Sequence, residues 1–168
     1  SFAGLHFTRE LMKRMEIRGI DTAFVTMHTG LGSFREIDVE DLTKHKTDSE
    51  EMHVTQEACD IINNAKKNGR RIVAVGTTVQ RVLETAVSAD NNLKPFDGWT
   101  NKFIIPPYDF HIADAMVANF YSPVSTMLML TAAYGGYDLV MKAYKEAMRY
   151  NESDPKRRYR FGTFGDAM

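Results

Sequence analysis

Cysteine is nearly missing from this chain: Cys59 stands alone in 168 residues. A single thiol excludes an internal disulfide and a thiolate metal site. It falls on the apolar face of an expected helix, where an inert buried thiol is the expected state. No apolar run approaches the ~18 residues of a membrane span, and no secretory leader is visible. A cytoplasmic protein, without a membrane segment, is the expectation. Excess charge of one sign is also missing, with 21 Lys and Arg against 22 Asp and Glu. That balance gives no global attraction to nucleic acid and leaves only local basic patches. No lysine of the Walker type follows a glycine-rich turn, and G-x-G-x-x-G is absent, so the usual phosphate-loop and dinucleotide fingerprints are excluded. Repeats and low-complexity linkers are absent too. The chain lacks an initiator Met and opens abruptly on SFAGLHFT, which reads as the interior of a longer protein.

What is present is enough for one domain over residues 1–168. Thr8 is placed to cap a helix running to about Arg18, with Leu11, Met12 and Met15 on one face and Gly19 as the stop. Residues 21–28 form a β-rich run, and residues 29–34 a loop with two glycines. Residues 35–53 are polar and are expected to be loop with short strands. Thr55 caps a second helix, whose apolar residues Ala58, Ile61, Ile62 and Ala65 follow helical spacing up to Gly69. A short strand over 71–75 leads through Gly76 into a third helix over about 78–88. DNNLKPFDGW is expected as loop, and KFIIPP and DAMVANF as strands. An all-apolar helix follows SPVS, then an amphipathic one carrying Leu139, Val140, Ala143, Tyr144 and Ala147. The tail is mostly loop with room for a last strand. Alternation of helices and strands predicts an α/β, Rossmann-like fold with a largely parallel sheet flanked by helices. Ligands of such folds bind at strand C-termini, which here means the loops 28–34, 76–78 and 119–126.

Each loop has two readings. Gly76 lets a ligand approach the backbone, and Thr77 and Thr78 bring hydroxyls and N–H groups to a helix N-terminus; a glycine turn with a threonine cap would look the same. Arg81 and Glu84 have the spacing of a surface ion pair. His28, with Gly30 and Gly32 in HTGLG, offers acid–base chemistry or a satisfied structural imidazole, and His6 is similarly ambiguous. His45 and His53 lie near Asp48, Glu50 and Glu51, but the spacing matches no metal signature. Asn119 and Ser125 bracket a strand exit and a helix start. Lys156, Arg157, Arg158 and Arg160, interleaved with Tyr159 and Phe161, suit RNA backbone and stacking, or a solvated tail.

The order of these motifs is more specific than any one of them. AGLHFT, HTGLGSF, GTT..R.LE, GWT..FI, NF..P.STMLML and YGGYDLVMKAYKEA, closing on YRF...GDAM, resemble the S-adenosylmethionine:tRNA ribosyltransferase-isomerase family of queuosine biosynthesis. The family joins an α/β main domain to an inserted β-barrel, and this chain resembles only the part after the barrel, so the barrel is absent from it. The resemblance implies transfer and isomerisation of the ribosyl part of S-adenosylmethionine onto 7-aminomethyl-7-deazaguanine in tRNA. Epoxyqueuosine, adenine and methionine would be the products. It implies S-adenosylmethionine as co-substrate, tRNA as partner and no metal or redox cofactor; the sequence does not fix the oligomeric state, for which a monomer is the expectation.

By the same resemblance His6, His28, Arg81 and Glu84 are candidate catalytic residues. Arg81 would grip a substrate carboxylate or phosphate, and Glu84 would hold Arg81. Thr8, Gly30, Gly32, Gly76, Thr77, Thr78, Asn119, Ser125 and Asp166 are candidate substrate-binding residues. The chain departs from the usual family form at Asp48 and Tyr121, where that form has histidine, and at Val124, where it has lysine. A relative that binds S-adenosylmethionine or RNA without turnover is the alternative these departures leave open.

Overall fold

The computed structural model describes residues 1–154, 156 and 158–168. Five α-helices and five short strands make a mixed α/β fold. Side-chain caps set three of the helix starts. Thr8 accepts from the Leu11 N–H ahead of α1 (Arg9–Ile17). Thr55 accepts from Ala58 ahead of α2 (Gln56–Lys67), and Ser125 from Leu128 ahead of α4 (Thr126–Gly135). Each cap satisfies an N–H that the first turn would leave without an acceptor. The remaining helices are α3 (Thr77–Ala86) and α5 (Tyr137–Ser153). None of the helices is long and apolar enough to cross a membrane, among the described residues.

The strand pairing differs from a largely parallel sheet. Strands β1 (Thr26–His28), β2 (Glu50–Val54) and β4 (Phe96–Thr100) form an antiparallel sheet in the order β1-β2-β4. Only β3 (Val73–Val75) and β5 (Ala115–Val117) run parallel, with Val73 opposite Ala115 and Val75 opposite Val117. The long polar connection between β1 and β2 holds 3-10 turns at Leu31–Phe34 and Leu42–Lys44 instead of a crossover helix. Without that helix nothing demands a parallel return. No strand forms over KFIIPP, whereas β4 arises in the segment expected as loop. Asp97 and Gly98 are poor strand formers, but they pair with His53 and Met52, and the neighbour overrides the propensity.

Glu50, Met52 and Val54 of β2 turn inward, while Glu51 and His53 face out. Met52 and Val54 join Ala58, Cys59, Ile62, Ala74, Val82, Leu83, Ala86, Leu93 and Ile112 in one core. Cys59 is fully buried, and burial pushes its thiol pKa up. Phe120, Tyr121, Leu128, Val140, Tyr144 and Ala147 belong to a second core between α4 and α5, and Met116 packs against both. The tail returns along the exit of β5, where Met168 and Ala118 exchange backbone hydrogen bonds of 2.8 and 2.9 Å. Two expectations of burial are not met: α1 buries no residue, and on α5 Leu139 is 65% exposed although Val140, Tyr144 and Ala147 are inside.

Leu83 is 2% exposed at the centre of the first core. Leu83→Ala is expected to lower unfolding stability by about 2–5 kcal/mol in urea denaturation. A loss below about 1 kcal/mol would mean that α3 does not pack as described.

Candidate active site

The three loops singled out above surround one cavity of about 350 Å³. Thr29, Ser33 and Phe34 reach it from the loop after β1, Thr77 and Thr78 from the turn after β3, and Thr126 and Met127 from the start of α4. Arg81 lines it one turn along α3, and Lys102, Phe103 and Ile104 form another wall. Phe2, Leu5, Thr163 and Phe164 close it from the two ends of the chain. Apolar walls, several hydroxyls and, among the described residues, no lining carboxylate make it a small-molecule site, with Arg81 and Lys102 as its cationic side chains.

Gly76 shapes the turn beneath this cavity. Its φ is +106°, a region that L side chains avoid, and a Cβ there would meet the Cβ of Ser1. Its N–H donates to the Val117 carbonyl at 2.8 Å, fixing the turn to β5. Gly76 itself is the N-cap of α3, and no side chain caps that end. The threonine-cap reading therefore does not hold, and no side chain caps the first N–H groups of α3, at a turn whose Thr77 and Thr78 line the cavity. Thr77 is instead buried, with its hydroxyl 3.1 Å from that of Tyr121. Thus Tyr121 supplies a hydroxyl in contact with the turn. Desolvation pushes its phenol pKa up.

Arg81 and Glu84 do not pair with each other. The Arg81 guanidinium pairs with Glu50, whose side chain is 2% exposed. Glu50 Oε1 also accepts from the Gly30 N–H at 2.7 Å and the Ser33 hydroxyl at 2.6 Å. Burial lowers the Arg81 pKa to about 10. Glu84, with no side-chain exposure, accepts from the His111 N–H at 3.0 Å and the Tyr108 hydroxyl at 3.3 Å. Its Oε2 lies 2.8 Å from His111 Nδ1. The local spacing misleads because each side chain finds a deeper, non-local partner.

The other candidates divide between cavity and frame. Gly30 holds Glu50 through its backbone. Gly32 is buried, and a Cβ on it would lie 2.2 Å from Asp48 Oδ2, so the Asp48 carboxylate sits against bare backbone. Asp48 also lies 3.8 Å from Arg35. His28 is exposed at the end of β1, next to Thr29 of the cavity wall. His6 is turned to the tail, its Nε2 3.0 Å from the Gly165 carbonyl. Asn119 is fully buried and donates to that same carbonyl at 3.1 Å, with its Oδ1 unpartnered. Asp166 pairs with Arg160 and accepts its backbone N–H at 2.8 Å, which lowers the Asp166 pKa. Thr8 and Ser125 are helix caps.

Neither histidine of the polar segment joins a metal-ligating cluster among the described residues. His45 packs on Phe103, and His53 lies 3.5 Å from Asp97. In the basic tail Arg157 lies outside the described residues. Arg160 is taken by Asp166, and Phe161 packs on Phe120 and Tyr144. Sequence reading missed the role of Glu50 and the presence of Lys102 in the cavity. Glu50's inward register on β2 was the available signal for the first; none pointed to the second.

The family described as "Queuosine biosynthesis protein" matches residues 1–168. A protein of Phocaeicola vulgatus named S-adenosylmethionine:tRNA ribosyltransferase-isomerase is 69% identical over 166 residues, 99% of this chain and 45% of its own length. One of the same name from Bacteroides fragilis is 63% identical over the same shares. The crystal structure of an S-adenosylmethionine tRNA ribosyltransferase from Thermotoga maritima superposes with a TM-score of 0.77 at 41% identity. That match covers 99% of this chain and 50% of the other. The chain thus spans about half the length of the relatives it matches.

Removing one partner of the Glu50–Arg81 pair strands the other charge in the interior. Arg81→Met is expected to cost about 3–5 kcal/mol of unfolding stability. Combining it with Glu50→Gln is expected to restore most of that loss. A single variant as stable as the parent in urea denaturation would contradict a buried pair.

Proposed function

The chain belongs to the queuosine biosynthesis protein family, and from that premise we propose that the protein is an S-adenosylmethionine-dependent tRNA ribosyltransferase-isomerase. It moves the ribosyl part of S-adenosylmethionine onto 7-aminomethyl-7-deazaguanine in tRNA, giving epoxyqueuosine and releasing adenine and methionine. It acts in the cytoplasm as a monomer, without a metal or redox cofactor. The observation that carries this reading is the convergence of three loops on one cavity with hydroxyls, a helix N-terminus and apolar walls.

The chemistry needs three things. The sulfonium acidifies the neighbouring C5′–H, so a base must take that proton. Adenine then leaves with the electrons of its glycosidic bond, so donors must meet the departing nitrogen. The pocket must also accept a cation without quenching it, which uncharged walls of Met27, Met127 and Phe34 allow. Thr78 and the uncapped N–H groups of α3 are the donors we assign to the adenine. His28 is the base we choose, because it leaves β1 beside Thr29 of the cavity wall, whereas the imidazole of His6 is turned to the Gly165 carbonyl of the tail.

The test is adenine release by the full-length protein with precursor-bearing tRNA. His28→Ala is expected to slow release about 100-fold or more, the usual size of a lost general base, and His6→Ala less than tenfold. Equal, wild-type rates in both would remove the histidine assignment. Calorimetric binding of S-adenosylmethionine without any release would replace the transferase by a binding module.

A further inference from the structure

Two cations line the cavity, and one of them is already matched. Arg81 faces the buried Glu50 carboxylate, so that pair has no net charge to give a ligand. Lys102 takes part in none of the ion pairs found among the described residues. Its Nζ donates to the Tyr108 hydroxyl at 3.3 Å and stands 5.7 Å from the centroid of that ring. The Tyr108 hydroxyl spends its own proton on Glu84 Oε2, so a lone pair is what it turns to Lys102. Glu84 is fixed in turn by the backbone and ring of His111. Desolvation, reinforced by Glu84, pushes the Tyr108 pKa to about 12, which keeps the phenol neutral and in place.

The consequence is a lysine held from behind. An ammonium has three donors on a flexible stem. Here one donor is anchored by Tyr108 and the others remain for the cavity. The carboxylate of Glu84 stands one phenol away, near enough to order the network but not in contact with the ammonium. S-adenosylmethionine carries two positive groups, the sulfonium and the amine, and one negative group, the carboxylate. Among the described residues the cavity has no lining carboxylate and one unmatched cationic side chain, so it can match only the last of these by charge.

We propose that Lys102 binds the carboxylate of the methionyl end of S-adenosylmethionine and so fixes which end of the cavity the amino-acid tail occupies. Tyr108, Glu84 and His111 are positioning residues that act through it. This assignment rests on the S-adenosylmethionine reading of the cavity. It also gives Glu84 a place in the site different from holding Arg81.

Calorimetry on the full-length protein tests it with two probes, S-adenosylmethionine and its decarboxylated analogue, which keeps both positive groups. The parent is expected to bind S-adenosylmethionine at least tenfold more tightly than the analogue, as a charge-assisted hydrogen bond implies. Lys102→Met is expected to abolish that preference, weakening S-adenosylmethionine tenfold or more and leaving the analogue within about twofold. Lys102→Arg, which keeps the charge, is expected to retain most of the preference. Equal weakening of both probes by Lys102→Met, an unchanged preference, or a loss confined to tRNA affinity would each overturn the assignment, the last by pointing to an RNA phosphate. Because binding is read separately from adenine release, a protein that discriminates the probes but releases no adenine refutes the transferase and keeps the lysine.

Discussion

A carboxylate that the sequence places on a short strand, Glu50, is what the site depends on. With its side chain 2% exposed, it would be intolerable in the interior without partners. It has three: the Arg81 guanidinium, the Gly30 N–H and the Ser33 hydroxyl. Those groups come from α3 and from the glycine loop. Desolvating both charges is expensive, and attraction at low dielectric offsets that only when the remaining lone pairs are used. The loop's backbone and hydroxyl both bond Oε1 while Oε2 faces Arg81, so the loop is held where it can form a cavity wall.

Helix α3 distributes this order. Thr77 near its start meets Tyr121, which in turn donates its backbone N–H to the Tyr144 hydroxyl in the second core at 2.6 Å. Arg81 reaches β2, and Glu84 reaches the segment 108–111. Val82, Leu83 and Ala86 pack into the first core. One ten-residue helix thereby ties both cores and two cavity walls together. Thr77, Arg81 and Glu84 are held inside by distant partners, whereas Gln80 is buried with neither of its amide atoms hydrogen-bonded.

The parts of this arrangement legible in the sequence are those set by near neighbours. Thr8, Thr55 and Ser125 announce their helices because a cap bonds an N–H three residues on. Gly76 marks the turn because its backbone conformation excludes other residues. What could not be read were contacts made across the chain. Arg81 looks outward to Glu84 by spacing, yet its partner is 31 residues away. Strand β4 carries Asp97 and Gly98 and is a strand only because β2 runs beside it. Lys102 sits in what reads as an ordinary apolar strand, and its polar support, Tyr108, becomes visible only once the segment folds over α3.

The contact between Gly32 and Asp48 carries a consequence for how this sequence can drift. No methyl group fits at position 32 while the carboxylate rests there. The two sites are therefore not independent letters of the text. A lineage that enlarges position 32 must first shrink or swing away the side chain at position 48, so the glycine is the constrained letter of the two.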